Sequence, residues 1–485
     1  MEDNVMKKAI LLLCMAAGLM GCAKEILDPG KETPQNEGVP MTFDVSVLET
    51  KAAKTAWADG DKIYVFFNGL ATKYLVLERS SGSWTNTSGG GTLMDTDFSA
   101  LGTKKLTAVH FPVAVDVTYA GSKFSFTSDG KPVYNYYLFE KDKDYTVSGT
   151  TVTATLSMGK PADMVQIHVD RIQGNVTDYT FGCSKIKPVA CESVGTDGAI
   201  TESVLQAGAR LSGVADADGG IFAGRLTSPG AAADYTFTVA SDANIYTLTR
   251  TSKTLTAGKM YNFPSLSTTG GNNWTEQNAS DLYVDLGITV DGKKIYWAKC
   301  NLGATTETGY GDYFAWGEVT GYNEGKTNFG WSTYYYGNSS STLTKYCHAS
   351  AYGKDGFTDE LTVLQKEDDA AYAALGGKFR MPTKAEIEAL LALSKEWVTD
   401  YNASGINGYE FTGNGNTLFL PAAGNWEDTN LYGAGSGGLY WSSSLGSGFP
   451  IYAWYLVFSS GSAGKDDYYP YYRYRGASVR PVFEE

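Results

Sequence analysis

Between residues 41 and 267 no helical period is sustained, and this constrains the chain more than any other feature. Apolar residues come instead in short β-branched or aromatic runs: Lys62-Ile-Tyr-Val-Phe-Phe67, Val165-Gln-Ile-His-Val169 and Tyr235-Thr-Phe-Thr-Val239. Gly, Asp and Asn turns bound each of them. Runs of that kind pair into sheets, and sheets with an apolar face stack into sandwiches. Alternation within the second run puts His168 on the polar face, as a solvated strand residue. A length of 485 residues predicts roughly three domains.

The N-terminus carries a different signal. Met6-Lys7-Lys8 is basic and Ala9 to Met20 is apolar, too short a run to span a bilayer and laid out as a signal peptide. The stretch Leu19-Met20-Gly21-Cys22 resembles the lipobox of bacterial lipoproteins. That resemblance implies cleavage before Cys22 and diacylglycerol on its thiol. Residues 1–22 are then a lipoprotein signal, and the Pro-, Gly- and Glu-rich residues 23–40 a flexible tether. Ala23-Lys24-Glu25 is similar to the tag of surface-exported lipoproteins. The expected location is the cell outer membrane, lipid-anchored and surface-exposed. A net charge of −14 argues against nucleic acid and anionic lipid as partners, so membrane contact rests on the acyl chains.

Of six cysteines, Cys14 lies in the signal and Cys22 at its end. The remaining pairs, Cys183 with Cys191 and Cys300 with Cys347, are candidates for disulfides in an oxidising compartment. No cysteine pair has C-x-x-C spacing and the three histidines are scattered, so no metal site and no cofactor are expected.

The stretch Thr55-Ala-Trp-Ala-Asp-Gly-Asp-Lys-Ile-Tyr-Val65 resembles the W-x-x-G-D opening motif of fimbrillin-like proteins. Leu255-Thr-Ala-Gly-Lys-Met-Tyr-Asn-Phe263 is similar to their closing strand. The resemblance implies a pilin-type lipoprotein with two consecutive β-sandwiches, at 41–158 and 159–267, and pilus subunits as a class of partner. In that family the N-terminal segment is cut after a basic residue and replaced by a neighbour's strand. Lys51 and Lys54 are the candidate positions, where Arg would match the family better.

A linker at 268–280 leads into a compositionally different region, 281–485. Its clearest helix opens at Thr383, an N-cap whose capping box closes with Glu386, and Ile387, Leu390, Leu391 and Ser394 share one face. Leu418–Gly424 and Tyr440–Ser444 read as buried strands. Six phrases then occur in order. They are Trp297-Ala-Lys-Cys-Asn-Leu-Gly303, Gly311-Asp-Tyr-Phe-Ala-Trp-Gly-Glu318, Phe379-Arg-Met-Pro-Thr383, Leu420-Pro-Ala-Ala-Gly424, Tyr440-Trp-Ser-Ser443 and Ser478-Val-Arg-Pro-Val482. The set resembles C-type-lectin-like domains related to formylglycine-generating enzymes and to the variable proteins that retroelements diversify. The implied fold class is mostly β with a small α+β part: two β-sandwiches followed by a C-type-lectin-like α+β domain.

Catalysis is not expected. The formylglycine-generating enzymes use a cysteine pair near the C-terminus, and here the last cysteine is Cys347. The Glu-Pro-Asn and Trp-Asn-Asp loops of calcium-dependent lectins are absent too, with Asn425-Trp-Glu-Asp428 only a partial echo. Binding is expected at 445–474. Alternation along Ala453-Trp-Tyr-Leu-Val-Phe-Ser-Ser460 turns Trp454, Leu456 and Phe458 inward and displays Tyr455, Val457 and Ser459. The run Asp466-Asp-Tyr-Tyr-Pro-Tyr-Tyr-Arg-Tyr474 holds five tyrosines in nine residues. Tyrosine gives a large, stiff, amphipathic contact at low entropic cost; equally, it suits the pleated surface of a sheet.

Likeness to retroelement-diversified proteins adds a codon argument. Adenine-directed change of an Asn codon ending in C reaches only residues whose codons end in C. Gly446, Gly448, Phe449, Ile451, Tyr452, Tyr455, Val457, Ser459, Asp466, Tyr468, Tyr469, Tyr471, Tyr472 and Tyr474 all belong to that set, and Trp454 does not. These fourteen positions are the expected contacts for a protein or glycan ligand on another cell or host surface. Trp441, Leu456, Phe458 and Val479 are the expected inward scaffold.

Overall fold

The computed structural model describes residues 38–47, 57–134, 136–170, 180–212, 214–215, 219–227, 230–263, 274–466 and 471–485. The chain is mostly β over these residues, with few helices. Among them no helix is long and apolar enough to cross a membrane. Cys22, the tether up to residue 37, Lys51, Lys54, Tyr468 and Tyr469 lie outside the described residues.

The run Lys62–Phe67 is the middle strand of a five-stranded antiparallel sheet, between Leu75–Ser80 and Lys105–His110. Ile63 to Phe67 are all buried, which is why the run shows no polar alternation: both faces of the strand are covered. On one side Phe67 packs edge-on against Phe98 and Tyr145, at 5.0 and 5.2 Å. On the other, Phe66 meets Phe124 at 4.7 Å and Phe126 at 5.6 Å.

Those two phenylalanines come from the hairpin Asp116–Ala120 and Lys123–Thr127, which pairs with Ile186–Gly195 in register Ser125 with Ser193. One eight-stranded sheet therefore runs from the first sandwich into the second. Val189, Cys191 and Val194 belong to the first core although they follow residue 159. The second sandwich closes this sheet against another built from Leu211–Ser212, Thr180–Cys183, Ala232–Ala240, Asn244–Thr254 and Thr275–Asn278. Here the alternation holds: Tyr235, Phe237 and Val239 point into the core, and Phe181 stacks on Phe222 at 4.4 Å.

The expected linker at 268–280 is corrected over its described part. Trp274 is 1% exposed inside the second core, and Thr275–Asn278 adds an edge strand beside Asn244–Thr254. A large apolar ring with a core to enter, next to an unpaired sheet edge, takes both.

Residues 281–485 form the head. Its first long strands, Tyr283–Val290 and Lys293–Ala298, share a sheet with the terminal strand Val482–Glu484, so the head closes on itself. The helix Lys384–Leu391 has the expected capping box: Thr383 Oγ1 accepts from Glu386 N at 3.3 Å, and the Glu386 carboxylate accepts from Thr383 N at 2.7 Å. Ile387 and Leu390 are buried. Ser394 instead starts the strand Ser394–Val398, pairing with Thr412.

Head and second sandwich meet through buried groups. Arg210, from the sandwich, donates to the carbonyls of Tyr372 and Ala374 at 3.1 and 2.9 Å, and to those of Thr180 and Thr238 on its own side. The first two carbonyls belong to the helix Ala370–Leu375, near the negative end of its dipole. Burial lowers the Arg210 pKa to about 10.

The four described cysteines are free thiols, which corrects both expected disulfides. Cys183 packs in the second core and Cys191 in the first. Cys347 is buried in the head, whereas Cys300 lines a groove of about 440 Å³ near the junction with the sandwich.

Candidate ligand-binding face

The strand Ala453–Ser459 lies between Gly437–Leu445 and Ser462–Asp466. Leu456 and Phe458 enter one head core, as alternation requires, and Lys384 Nζ covers the buried Trp454 ring at 3.6 Å. Tyr455 is the first correction. It is 4% exposed and enters the other head core, 6.2 Å from Trp441 and 5.3 Å from Tyr471. Period-two alternation assigns opposite faces correctly, but this sheet has a core on both sides. Gly446 and Ile451, in the connection between Gly437–Leu445 and Ala453–Ser459, are corrected too. Ile451 is buried in that core, and a Cβ on the buried Gly446 would lie 2.9 Å from the Tyr452 carbonyl.

The rim behaves differently. Phe449 is 52% exposed, Gly448 and Ser459 are exposed, and Val457, Tyr452, Tyr472 and Tyr474 are half-buried. Tyr471 leans inward on Trp441 at 5.7 Å, and burial pushes its hydroxyl pKa up. Asp466 ends its strand opposite Tyr455.

Rings from four loops join along this rim. Tyr352 meets Phe449 at 6.0 Å, Phe449 meets Tyr452 at 6.1 Å, and Tyr452 meets Tyr472 at 5.0 Å. Tyr472 stacks on Tyr474 at 5.1 Å, and Tyr474 meets Trp331 at 4.8 Å. The result is a continuous aromatic strip. Burial and the bond to Tyr472 push the Tyr452 hydroxyl up to about 12, so that hydroxyl stays neutral at physiological pH. Trp331 and Tyr352 are the residues that sequence reasoning missed. The tyrosine-dense Trp331-Ser-Thr-Tyr-Tyr-Tyr336, alike in texture to 468–474, is the signal that could have found the first.

Arg473 holds the strip from beneath. Its buried guanidinium donates to the carbonyls of Tyr346 at 2.7 Å, Pro450 at 2.8 Å and Lys345 at 3.0 Å, and to Tyr334 Oη at 2.8 Å. It also faces the Trp316 ring at 5.1 Å. Next to it Arg475 lies over the Tyr471 ring at 4.7 Å and pairs with Glu427. Among the described residues no group of three His, Cys, Asp or Glu side chains is placed to hold a metal.

No protein-family model matches the chain, and no curated protein matches it. Solved structures do. A candidate cell adhesion protein from Bacteroides ovatus is 13% identical over 50% of this chain and 95% of that one, with a TM-score of 0.27. A fimbrial protein from the same organism is 10% identical over 92% of this chain and 99% of that one, at 0.23. The fimbrial anchor protein Mfa2 from Porphyromonas gingivalis is 12% identical, covering 41% and 78%, at 0.20.

The sequence-predicted positions thus separate into two groups. Phe449, Tyr452, Tyr472 and Tyr474 come together in the strip. Tyr455, Ile451 and Tyr471 pack beneath it.

Proposed function

We propose that the chain is a surface lipoprotein of adhesin or receptor type, anchored through Cys22, whose head takes a protein or glycan ligand on the strip between Tyr352 and Trp331. One observation carries this reading: six aromatic rings, in contact one after another, sit exposed or half-buried on the rim of a well-packed domain. Water contact with that much apolar surface is unfavourable, and such patches mark sites of association. The rings are stiff and mostly hydroxyl-tipped, so ordering them on binding costs little.

Binding rather than catalysis fits the thiols as well. Cys347 is buried in the head and burial raises its pKa, away from the thiolate that a nucleophile or copper ligand needs. Retroelement diversification belongs to the proposal too: exposed and half-buried rim positions make few core contacts, so a change there should cost little stability, whereas Tyr455 and Ile451 are buried.

The test is an exchange of residues 446–474 between two relatives that differ only there. Ligand preference should travel with the segment; preference that stays with the sandwiches would promote a structural pilus subunit instead. Anchoring is checked separately. Cys22→Ser should move the protein to the soluble fraction and abolish labelling by a palmitate analogue, and unchanged membrane association would refute the anchor.

A further inference from the structure

Gln206 belongs to the second sandwich, yet its side-chain amide is spent on the head. Nε2 donates to the Gly317 carbonyl at 2.6 Å, to Tyr336 Oη at 3.1 Å and to Asp368 Oδ1 at 3.4 Å. Oε1 accepts from Val319 N at 3.2 Å. The residue is 5% exposed, so water does not replace these partners.

Asp368 is the next link. This buried carboxylate also accepts from Tyr336 Oη, from Tyr346 Oη at 2.6 Å and from Lys345 Nζ at 2.6 Å. Lys345 and Tyr346 hold Asp368 by their side chains and present their carbonyls to Arg473. Arg473 in turn sits between Tyr472 and Tyr474 and grips the Pro450 carbonyl, next to Phe449. A buried polar chain thus runs from the sandwich to the turn that carries the aromatic strip, each link fixing the geometry of the next.

We infer that Gln206 is a positioning residue for the aromatic strip, and that the working binding unit is the second sandwich and head together. The inference rests on the strip being the contact face. Losing the Gln206 amide leaves the Gly317 carbonyl without its 2.6 Å donor and removes a donor from Asp368, whose other partners are Tyr336 and the two residues that seat Arg473. The turn at 471–476 then samples open states more often.

Hydrogen exchange of the full-length chain, read by mass spectrometry, tests this without any ligand. Gln206→Leu, nearly isosteric, should speed exchange in the peptide spanning 471–476 by about tenfold. Should that variant not fold, Gln206→Asn keeps the amide and withdraws it by one methylene. The comparison is Thr320→Val, which removes the 3.0 Å bond from Thr320 Oγ1 to the Ala207 carbonyl at the same junction but touches no link of the chain. It should leave 471–476 unchanged. Faster exchange confined to 317–319, or equal acceleration by both variants, overturns the inference. Retained ligand capture after removal of Tyr472 and Tyr474 would instead sink the binding reading and leave the exchange result standing.

Discussion

The strand Ala453–Ser459 and the turn Tyr471–Arg475 are both rich in aromatic residues, and Tyr455 on the first meets the opposite fate to Tyr472 and Tyr474 on the second. Tyr455 is enclosed by Trp441 and Tyr471. Tyr472 and Tyr474 lie half-open at the rim, stacked on each other and backed by Trp331. What separates them is the number of cores, not the residue type. The strand sits in a sheet with apolar packing on both sides, whereas the turn has a core on one side only and Arg473 as its peg.

The largest effect that sharpens this contrast is on stability. Tyr455→Ala should cost about 3–5 kcal/mol, the range for emptying a buried aromatic site, read by denaturant unfolding. A loss below about 1 kcal/mol would return Tyr455 to the displayed set.

How far the sequence foretold this follows from which interactions are local. The capping box of Thr383 and Glu386 spans three residues and was legible. So was the run Tyr235–Val239 as a strand, whose Tyr235, Phe237 and Val239 turn into a core on one face. Tyr455 was misread because the second layer over its strand comes from residues far off in sequence, among them Tyr313, Trp316 and Tyr346. The linker was misread because Gly, Asn and Ser around Trp274 look like a tether, while the one tryptophan decides where the segment goes. Tyr352 was invisible as a strip member and Trp331 was marked only by its tyrosine-dense neighbourhood, since tertiary contact alone joins them to Phe449 and Tyr474.

A smaller effect separates support from contact by pH. Asp369 caps the helix Ala370–Leu375, accepting from Tyr372 N at 3.0 Å and from Met381 N at 2.9 Å, and burial pushes its carboxyl up to about 6. The fold therefore favours the neutral form. Its contribution is full below the unfolded value of about 3.9 and is lost as pH rises through about 6. Wild type should lose melting temperature relative to Asp369→Asn between pH 4 and 7. A difference that stays flat would mean that Asp369 titrates like an open carboxylate.

The smallest effect on stability is expected at the rim. Tyr472→Ala and Tyr474→Ala should each change unfolding free energy by less than about 1 kcal/mol, since half-open rings give up few core contacts. Their effect on binding decides the account most directly. Cells displaying the full-length chain are compared with cells displaying the Tyr472→Ala, Tyr474→Ala double variant, at matched surface level and melting temperature, for capture on a panel of host-surface proteins and glycans. The account predicts capture weakened by on the order of tenfold or more, the range of a true contact hot spot. Undiminished capture by a folded double variant would contradict it.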